Sequence, residues 1–198
     1  MRSFRPGADL TQRDEAAGSA LPSNLQADRY ALFVSTIEPR KGHRLLFSVW
    51  KRLLAAGIPQ AVDFKLVFVG REGWMVEEFL AELKKDPCYG SSLLLLSNVT
   101  DVELATLYAK AAFCLYPSVY EGYGLPVVEA FQYGKAVLAS NGGALAEVVG
   151  DFSPAIEPGD EDAWYDALAE WVSNPSSRLG YETAIEQRFR HPGWDQAA

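Results

Sequence analysis

Two glutamates, Glu121 and Glu129, could do chemistry in the stretch EGYGLPVVEA, which spans residues 121–130. The apolar run at residues 111–116 predicts a buried strand before it, and Pro126 predicts the first turn of a helix after it. A strand that passes into a helix through a glycine loop lets the backbone approach a ligand, and the helix start favours an anion. Carboxylates accept hydrogen bonds from hydroxyl groups, so this stretch suits a polyol joined to a phosphate.

Two cations, Arg40 and Lys41, lie in a second such stretch, STIEPRKG, at residues 35–42. This stretch follows a predicted strand, and strand ends of a parallel sheet share one edge, so both cations should face the same crevice as Glu121. Arg can bridge two phosphate oxygens, and Lys acts as a point charge. Because cations are mildly unfavourable at a helix start, a diphosphate site explains the pair better than a solvated surface does.

The elements that must position these groups alternate along the chain. Apolar runs predict strands at residues 30–36, 64–69, 93–96, 111–116 and 136–140. Amphipathic or capped stretches predict helices at residues 42–56, 76–85, 101–110 with Asp101 as N-cap, from Pro126 onward, 144–149, 161–172 behind Asp160, and 176–190. Nearly continuous apolar strands between helices indicate an α/β fold with a doubly wound, Rossmann-like parallel sheet and extra C-terminal helices.

The stretch around Glu121 and Glu129 resembles the E-x7-E signature of family 4 retaining glycosyltransferases, which lies in the C-terminal domain of the GT-B fold. STIEPRKG is similar to the GTIEPRK word of the same family, with Ser35 where many members have glycine and Thr36 where many have arginine. The resemblance implies transfer of a sugar from a nucleoside-diphosphate sugar to an acceptor hydroxyl with retention. GDP-mannose is the favoured donor, because members that use it carry similar words.

The same resemblance implies a role for each matching residue. Glu121 would lie near the donor sugar, Arg40 and Lys41 would neutralise the departing diphosphate, and Glu129 would hold the ribose hydroxyls. The remaining donor-binding positions would be Gly122, Tyr123, Gly124 and Leu125 in the loop, and Gly70, Asn98 and Val99 in the nucleobase pocket. The family works without a bound metal, so we expect neither a metal nor another cofactor.

The resemblance also implies a domain organisation, since it runs from about Arg5 to Trp194. Residues 1–29 are expected to form an interdomain linker or hinge, and residues 30–198 the nucleotide-sugar domain. We expect the N-terminal acceptor domain to be a missing partner, so that this chain alone binds donor weakly and transfers no sugar.

Three other signals have simpler explanations. The triplet at residues 160–162 matches the D-x-D pattern of metal-dependent glycosyltransferases, but it opens a predicted helix and is explained by capping. The stretch Gly122-Tyr123-Gly124 lacks the third glycine of a dinucleotide fingerprint, and no P-loop word is present. We expect Trp74, after the second strand, to pack into the core beneath the following helix.

The net charge of −8 argues against a nucleic acid or an anionic membrane as the main partner. No apolar run approaches membrane-spanning length and no signal segment is present, so a cytoplasmic location is expected, with peripheral membrane contact only through the missing domain. Two alternatives remain: a non-catalytic nucleotide-sugar-binding or assembly module of the same fold, and another sugar-nucleotide enzyme of GT-B shape such as an epimerase.

Overall fold

Six short apolar segments form a parallel sheet in a computed structural model of the chain, which describes residues 20–121, 124–143 and 145–190. The strands are β1 (Tyr30–Val34), β2 (Lys65–Val69), β3 (Leu93–Leu96), β4 (Phe113–Tyr116), β5 (Val137–Ser140) and β6 (Ala155–Ile156). They lie side by side in the order β3-β2-β1-β4-β5-β6. Most strand residues are buried, as expected of a sheet that is covered on both faces.

In the described part of the chain, helices cover the sheet, six of them between successive strands and two after β6. They are α1 (His43–Ala55), α2 (Ile58–Ala61), α3 (Glu77–Lys85), α4 (Asp101–Lys110), α5 (Leu125–Gln132), α6 (Leu145–Val149), α7 (Glu161–Ser173) and α8 (Leu179–Arg188). Single turns of 3₁₀ helix occupy Pro39–Lys41, Gly150–Phe152 and Pro175–Arg178. The doubly wound, Rossmann-like α/β fold expected from the strand and helix pattern is confirmed.

Large aromatic side chains fill the core, and the polar atoms of Tyr30 and Trp164 have hydrogen-bond partners. Tyr30 is fully buried in β1, and its hydroxyl donates a 2.6 Å hydrogen bond to the carbonyl of Leu107 in α4. Trp164 in α7 is also fully buried, and its Nε1 donates to the carbonyl of Glu157 at 3.2 Å. A buried aromatic ring contributes a large apolar area, and these two bonds remove the cost of burying its polar tip.

The structure corrects several boundaries. The cap of α4 is Thr100 rather than Asp101, because the Thr100 hydroxyl accepts from the Glu103 amide at 3.3 Å while the Glu103 carboxylate accepts from the Thr100 amide at 2.7 Å. Strand β6 was not predicted, because a strand of two residues is too short to show a hydrophobic period. The helix predicted at residues 176–190 begins as a 3₁₀ turn, and its α-helical part ends at Arg188.

Trp74 was expected in the core, and this prediction is wrong: its side chain is 55% exposed. The neighbouring Met75 is 73% exposed and has a φ of 54°, so the chain turns sharply here and carries both side chains outward before α3 begins. Arg5 and Trp194, between which the family resemblance runs, lie outside the described residues, and the boundary between linker and domain at residue 29 stays a prediction. Within the described ranges, none of the helices is both long enough and apolar enough to cross a membrane.

Gly70 follows β2 at a place where the backbones of two strand ends nearly touch. A Cβ atom built on Gly70 would lie 1.9 Å from the carbonyl oxygen of Ser35, which follows β1. The two segments are held there because the Gly70 amide donates to the Leu96 carbonyl and the Ser35 amide donates to the Val69 carbonyl. Only glycine fits without moving one of these strand ends.

We therefore expect Gly70→Ala to destabilise the protein by roughly 1–3 kcal/mol or more, the usual cost of overpacking. Gly180→Ala is the matched control, because a Cβ at Gly180 in α8 meets no atom within 4 Å and alanine favours a helix. Urea unfolding of both variants measures the difference. Equal stability of the two variants would contradict the close approach.

His43, the first residue of α1, is buried among aromatic rings. Its ring centroid lies 4.5 Å from that of Phe33 and 5.1 Å from that of Phe68, and its exposure is 2%. Neither ring nitrogen has a hydrogen-bond partner within the described part of the chain. Burial lowers the pKa of His43 to about 3, and the positive charge of Lys41 acts in the same direction. The ring is therefore neutral in the folded protein at neutral pH.

Because the folded-state pKa of His43 lies below the unfolded value of about 6.5, the unfolded chain binds the extra proton first. Stability is complete above pH 6.5 and falls as the pH drops toward 3. Between pH 7 and pH 5 we expect His43 to remove about 2 kcal/mol of folding free energy. Urea titrations of the wild type and of His43→Leu should diverge by this amount, whereas parallel pH profiles would contradict the buried neutral ring.

Candidate functional site

The sheet reverses its winding between β1 and β4. The chain runs outward from β1 through β2 to β3, and then returns to β4 on the other side of β1 before it continues to β6. In open parallel sheets, the crevice at the carboxyl ends of such a strand pair is the usual ligand site. The loop of residues 35–42 follows β1 and residues 117–121 follow β4, so both predicted site stretches leave the sheet at this point.

These two loops are joined through their backbones. The amide of Val119 donates a 2.8 Å hydrogen bond to the carbonyl of Arg40. Gly42, with a φ of 84°, lies so close that a Cβ atom on it would be 2.6 Å from the carbonyl oxygen of Pro117. The left-handed conformation and the close approach both require glycine here.

Their side chains bring the three predicted catalytic residues together. Lys41 Nζ forms an ion pair with Glu121 Oε1, and each residue is only 8% exposed. Arg40 Nη1 lies 3.5 Å from the same carboxylate oxygen and donates a 3.1 Å hydrogen bond to the Tyr120 carbonyl. The Arg40 side chain is 43% exposed, so its guanidinium is the more accessible of the two cations.

Glu38 belongs to this cluster, and sequence reasoning missed it. Its Oε2 accepts from Arg40 Nε at 3.0 Å, and its side chain is largely buried. The signal that would have found it is its position two residues before Arg40, across the 3₁₀ turn that Pro39 begins. Glu38 and the Tyr120 carbonyl hold the Arg40 guanidinium from two sides.

Glu129 lies in α5, and its environment differs from that of Glu121. The residue is half-buried, and Glu129 Oε2 accepts a 3.0 Å hydrogen bond from the hydroxyl of Tyr108 in α4. Burial raises the pKa of Glu129 to about 7, and the bond from Tyr108 opposes that rise. The charges of Glu121 and Glu129 both add to the effect of burial in raising the pKa of Tyr116, so the two carboxylates flank the same buried ring.

The start of α5 has the geometry expected of an anion-favouring helix terminus. Gly124 is the N-cap with a φ of 71°, and Pro126 lies in the first turn. A Cβ on Gly124 would lie 2.8 Å from Leu145 Cδ2. Leu125 is 37% exposed at the helix start. Gly122 and Tyr123, which were predicted to bind donor, lie outside the described residues.

The residues predicted for the nucleobase pocket follow β2 and β3 at the same edge of the sheet. Gly70 comes directly after β2, and its lack of a side chain is already explained by its contact with Ser35. Asn98 follows β3, is exposed and has a φ of 58°, while Val99 packs partly against the core. The structure thus places all three at the expected edge, and their roles stay predictions.

The triplet at residues 160–162 serves the fold, as expected. Asp160 caps α7 by accepting from the Ala163 amide at 3.0 Å. Glu161 and Asp162 pair with Arg52 of α1 at 3.3 Å and 2.8 Å. In the described ranges, no three His, Cys, Asp or Glu side chains cluster in a way that could hold a metal ion.

Comparison with known proteins shows to which family the chain is similar. The family model of glycosyl transferases group 1 matches residues 22–188. The serotype-specific mannosyltransferase WbdA of Escherichia coli is 32% identical over 197 residues, which cover 96% of this chain and 22% of WbdA. The O-antigen chain mannosyltransferase B of Escherichia coli is 37% identical over 134 residues, which cover 68% of this chain and 34% of that protein.

Among solved structures, the C-terminal domain of a glycosyl transferase group 1 family protein, LpcC from Francisella tularensis, superposes with a TM-score of 0.68 at 19% identity. The superposition covers 95% of this chain and 97% of that domain. The fold is therefore that of one half of a GT-B enzyme. This chain spans between about a fifth and a third of the two curated relatives named above. Family match, identity and fold agree, and the chain belongs to the glycosyl transferases of group 1.

Proposed function

We propose that this chain is the donor-binding half of a retaining glycosyltransferase that moves a mannosyl group from GDP-mannose to an acceptor hydroxyl. The observation that carries the proposal is the meeting of Arg40, Lys41 and Glu121 where the sheet reverses its winding. The names of the curated relatives, WbdA and mannosyltransferase B, support the choice of mannose. A structure of the S. aureus protein TarM, which shares the fold, is a complex that includes UDP.

The difficult step in such a transfer is departure of the nucleoside diphosphate, which takes the electron pair of the bond to the sugar. Groups that are preorganised toward the growing negative charge stabilise this step most. The partly exposed guanidinium of Arg40 is held in one orientation by Glu38 and the Tyr120 carbonyl, so it is preorganised to bind a phosphate. The start of α5 adds the positive end of its helix dipole.

Lys41 and Glu121 act as one unit in this proposal. The ammonium has three donors, so it can bind a phosphate oxygen while it stays paired with Glu121. Glu121 would then lie between this cation and the donor sugar, where its second oxygen would accept a hydrogen bond from a sugar hydroxyl. Two protein cations beside the diphosphate fill the role that a divalent metal plays in other transferases, so we propose that no bound metal is needed.

Glu129, Gly70, Asn98 and Val99 would hold the nucleoside. A carboxylate at the position of Glu129 suits the two ribose hydroxyls, since its oxygens accept both bonds. Gly124 and Leu125 would bring the start of α5 against the phosphates, and the loop residues Gly122 and Tyr123 would complete that contact. The nucleobase would lie along the ends of β2 and β3.

The acceptor site is proposed to belong to a further domain, because the curated relatives are several times longer than this chain. We expect the chain alone to bind donor nucleotide and to transfer no sugar. Measurable turnover by the isolated chain would overturn this part of the proposal.

Calorimetric titration with GDP, UDP, ADP and dTDP, without added metal, tests the donor site. We expect GDP to bind best, and Glu129→Ala to weaken it by roughly 1–3 kcal/mol, as for loss of hydrogen bonds to a carboxylate. Glu82→Ala is the matched control, because Glu82 is an exposed glutamate that pairs with Arg44 on the surface. If none of the four nucleotides binds, either the donor site needs the missing domain or the chain is the non-catalytic or assembly module, and the full-length protein is the next to test.

Charge removal at Lys41 should separate structure from binding. Lys41→Met leaves the buried Glu121 without its nearest cation, so we expect a loss of roughly 2–4 kcal/mol of stability. The double variant with Glu121→Gln should recover most of that stability, while GDP affinity stays low because the cation is gone. Urea unfolding and calorimetry measure the two effects, and recovery of both together would contradict a role for Lys41 in binding.

A further inference from the structure

Tyr108 makes a polar contact that the donor site, as described so far, does not use. Its hydroxyl donates to Glu129 Oε2 at 3.0 Å, across the gap between α4 and α5. The tyrosine is 2% exposed, and its ring stacks on that of Tyr133, with centroids 5.5 Å apart and planes 6° from parallel. The hydroxyl is therefore held in place by packing on both helices.

The hydrogen bond from Tyr108 leaves most acceptor positions of the Glu129 carboxylate available to a ligand. A carboxylate offers about four acceptor positions on its two oxygens, and Tyr108 takes one of them. A half-buried glutamate without such an anchor could rotate about its side-chain torsions, and holding it costs side-chain entropy. An anchor that is itself immobilised meets this cost before a ligand arrives.

We propose that Tyr108 is a positioning residue for Glu129, which it holds so that the remaining carboxylate lone pairs meet the two ribose hydroxyls of a nucleoside diphosphate. The inference rests on the proposed function and deepens it. Tyr108 never touches the nucleotide in this arrangement. It acts through the orientation and the charge of Glu129.

The charge matters because protonation turns one acceptor position of the carboxyl group into an O–H donor, whereas the ionised group only accepts and accepts more strongly. Burial raises the pKa of Glu129 to about 7, and the bond from Tyr108 opposes that rise. Tyr108 of α4 bonds to Glu129, and the charge of Glu129 also acts on the pKa of Cys114 and of Tyr116 in β4. Burial raises the pKa of all three, so they are neutral at pH 7. The positive charge of Lys135, which follows α5, opposes the rise in the pKa of Cys114. Tyr108 is thus the neighbour whose bond favours the ionised form.

The test uses Tyr108→Phe, with Tyr30→Phe as its matched control. Tyr30 is a second buried tyrosine whose hydroxyl also bonds to α4, but to the Leu107 carbonyl instead of Glu129. Both variants lose one buried hydroxyl bond, so their stabilities should fall by similar amounts. Only Tyr108→Phe should change Glu129.

The first readout needs no nucleotide. Carbon-13 NMR of labelled glutamate follows the Glu129 carboxyl through a pH titration, and Glu129→Gln assigns its signal. We expect the wild-type midpoint near 7, and in Tyr108→Phe a midpoint higher by on the order of half a unit to one unit. Tyr30→Phe should keep the wild-type midpoint.

The second readout is GDP affinity against pH. At pH 7, Tyr108→Phe should bind GDP roughly three- to tenfold more weakly than the wild type, which is the size of one lost hydrogen bond. Its affinity should recover in part as the pH rises past its own carboxyl midpoint, because the charge returns and the anchor does not, whereas Tyr30→Phe should follow the wild-type profile.

The outcomes separate the two proposals. If the wild type binds GDP and Tyr108→Phe shows the wild-type midpoint and affinity, the positioning role is overturned while the proposed function stands. If the wild type binds none of GDP, UDP, ADP and dTDP, the ribose-binding role of Glu129 fails, and the role of Tyr108 fails with it, even where the carboxyl midpoint shifts. A raised midpoint together with weakened, pH-recoverable GDP binding in Tyr108→Phe supports both.

Discussion

The buried ion pair between Lys41 and Glu121 is the interaction on which the rest of the site depends. Both residues are 8% exposed, and removing two charges from water is costly unless they face each other. The pair joins the loop after β1 to the loop after β4, and the bond from the Val119 amide to the Arg40 carbonyl joins the same loops through their backbones. The two walls of the crevice therefore behave as one unit.

This unit explains why two carboxylates in one short stretch have different properties. Glu121 is paired with cations, whereas Glu129 is half-buried beside the neutral hydroxyl of Tyr108, and burial raises the pKa of Glu129 to about 7. Two carboxylates in such different environments are suited to different tasks. In the proposed function, the first carboxylate works beside the diphosphate and sugar, and the second holds the ribose.

The glycines of the crevice show how backbone packing and ligand binding share the same positions. Gly70 and Gly42 allow strand ends and loops to approach within distances that a Cβ would forbid. The contact with Ser35 is sufficient to explain why residue 70 is glycine. The proposed contact of Gly70 with a nucleobase is a second, separate role. His43 follows Gly42 directly, and its packing against the rings of Phe33 and Phe68 explains its burial without a role in ligand binding.

Short-range signals in the sequence were enough for five of the six strands of the described structure, most helix positions and the family of the chain. Continuous apolar runs, helix caps and the words around Arg40 and Glu121 depend on neighbouring residues, and they can be seen without a fold. Strand β6 and helix α2, which were not predicted, are too short to show a period. The cap at Thr100 could have been found, since Glu103 follows it at capping-box spacing.

Long-range contacts were decided only by the tertiary structure. Tyr108 meets Glu129 across 21 positions and Lys41 meets Glu121 across 80, and no local pattern contains either distance. Trp74 is exposed where the chain turns at Met75, although its size and apolarity alone indicated the core. By itself, the sequence indicated the family of the chain and the strand ends after which the candidate donor-binding residues lie. The packing of α4, α5 and the two crevice loops decided which of these groups touch, because side-chain partners are chosen by three-dimensional proximity and burial rather than by order along the chain.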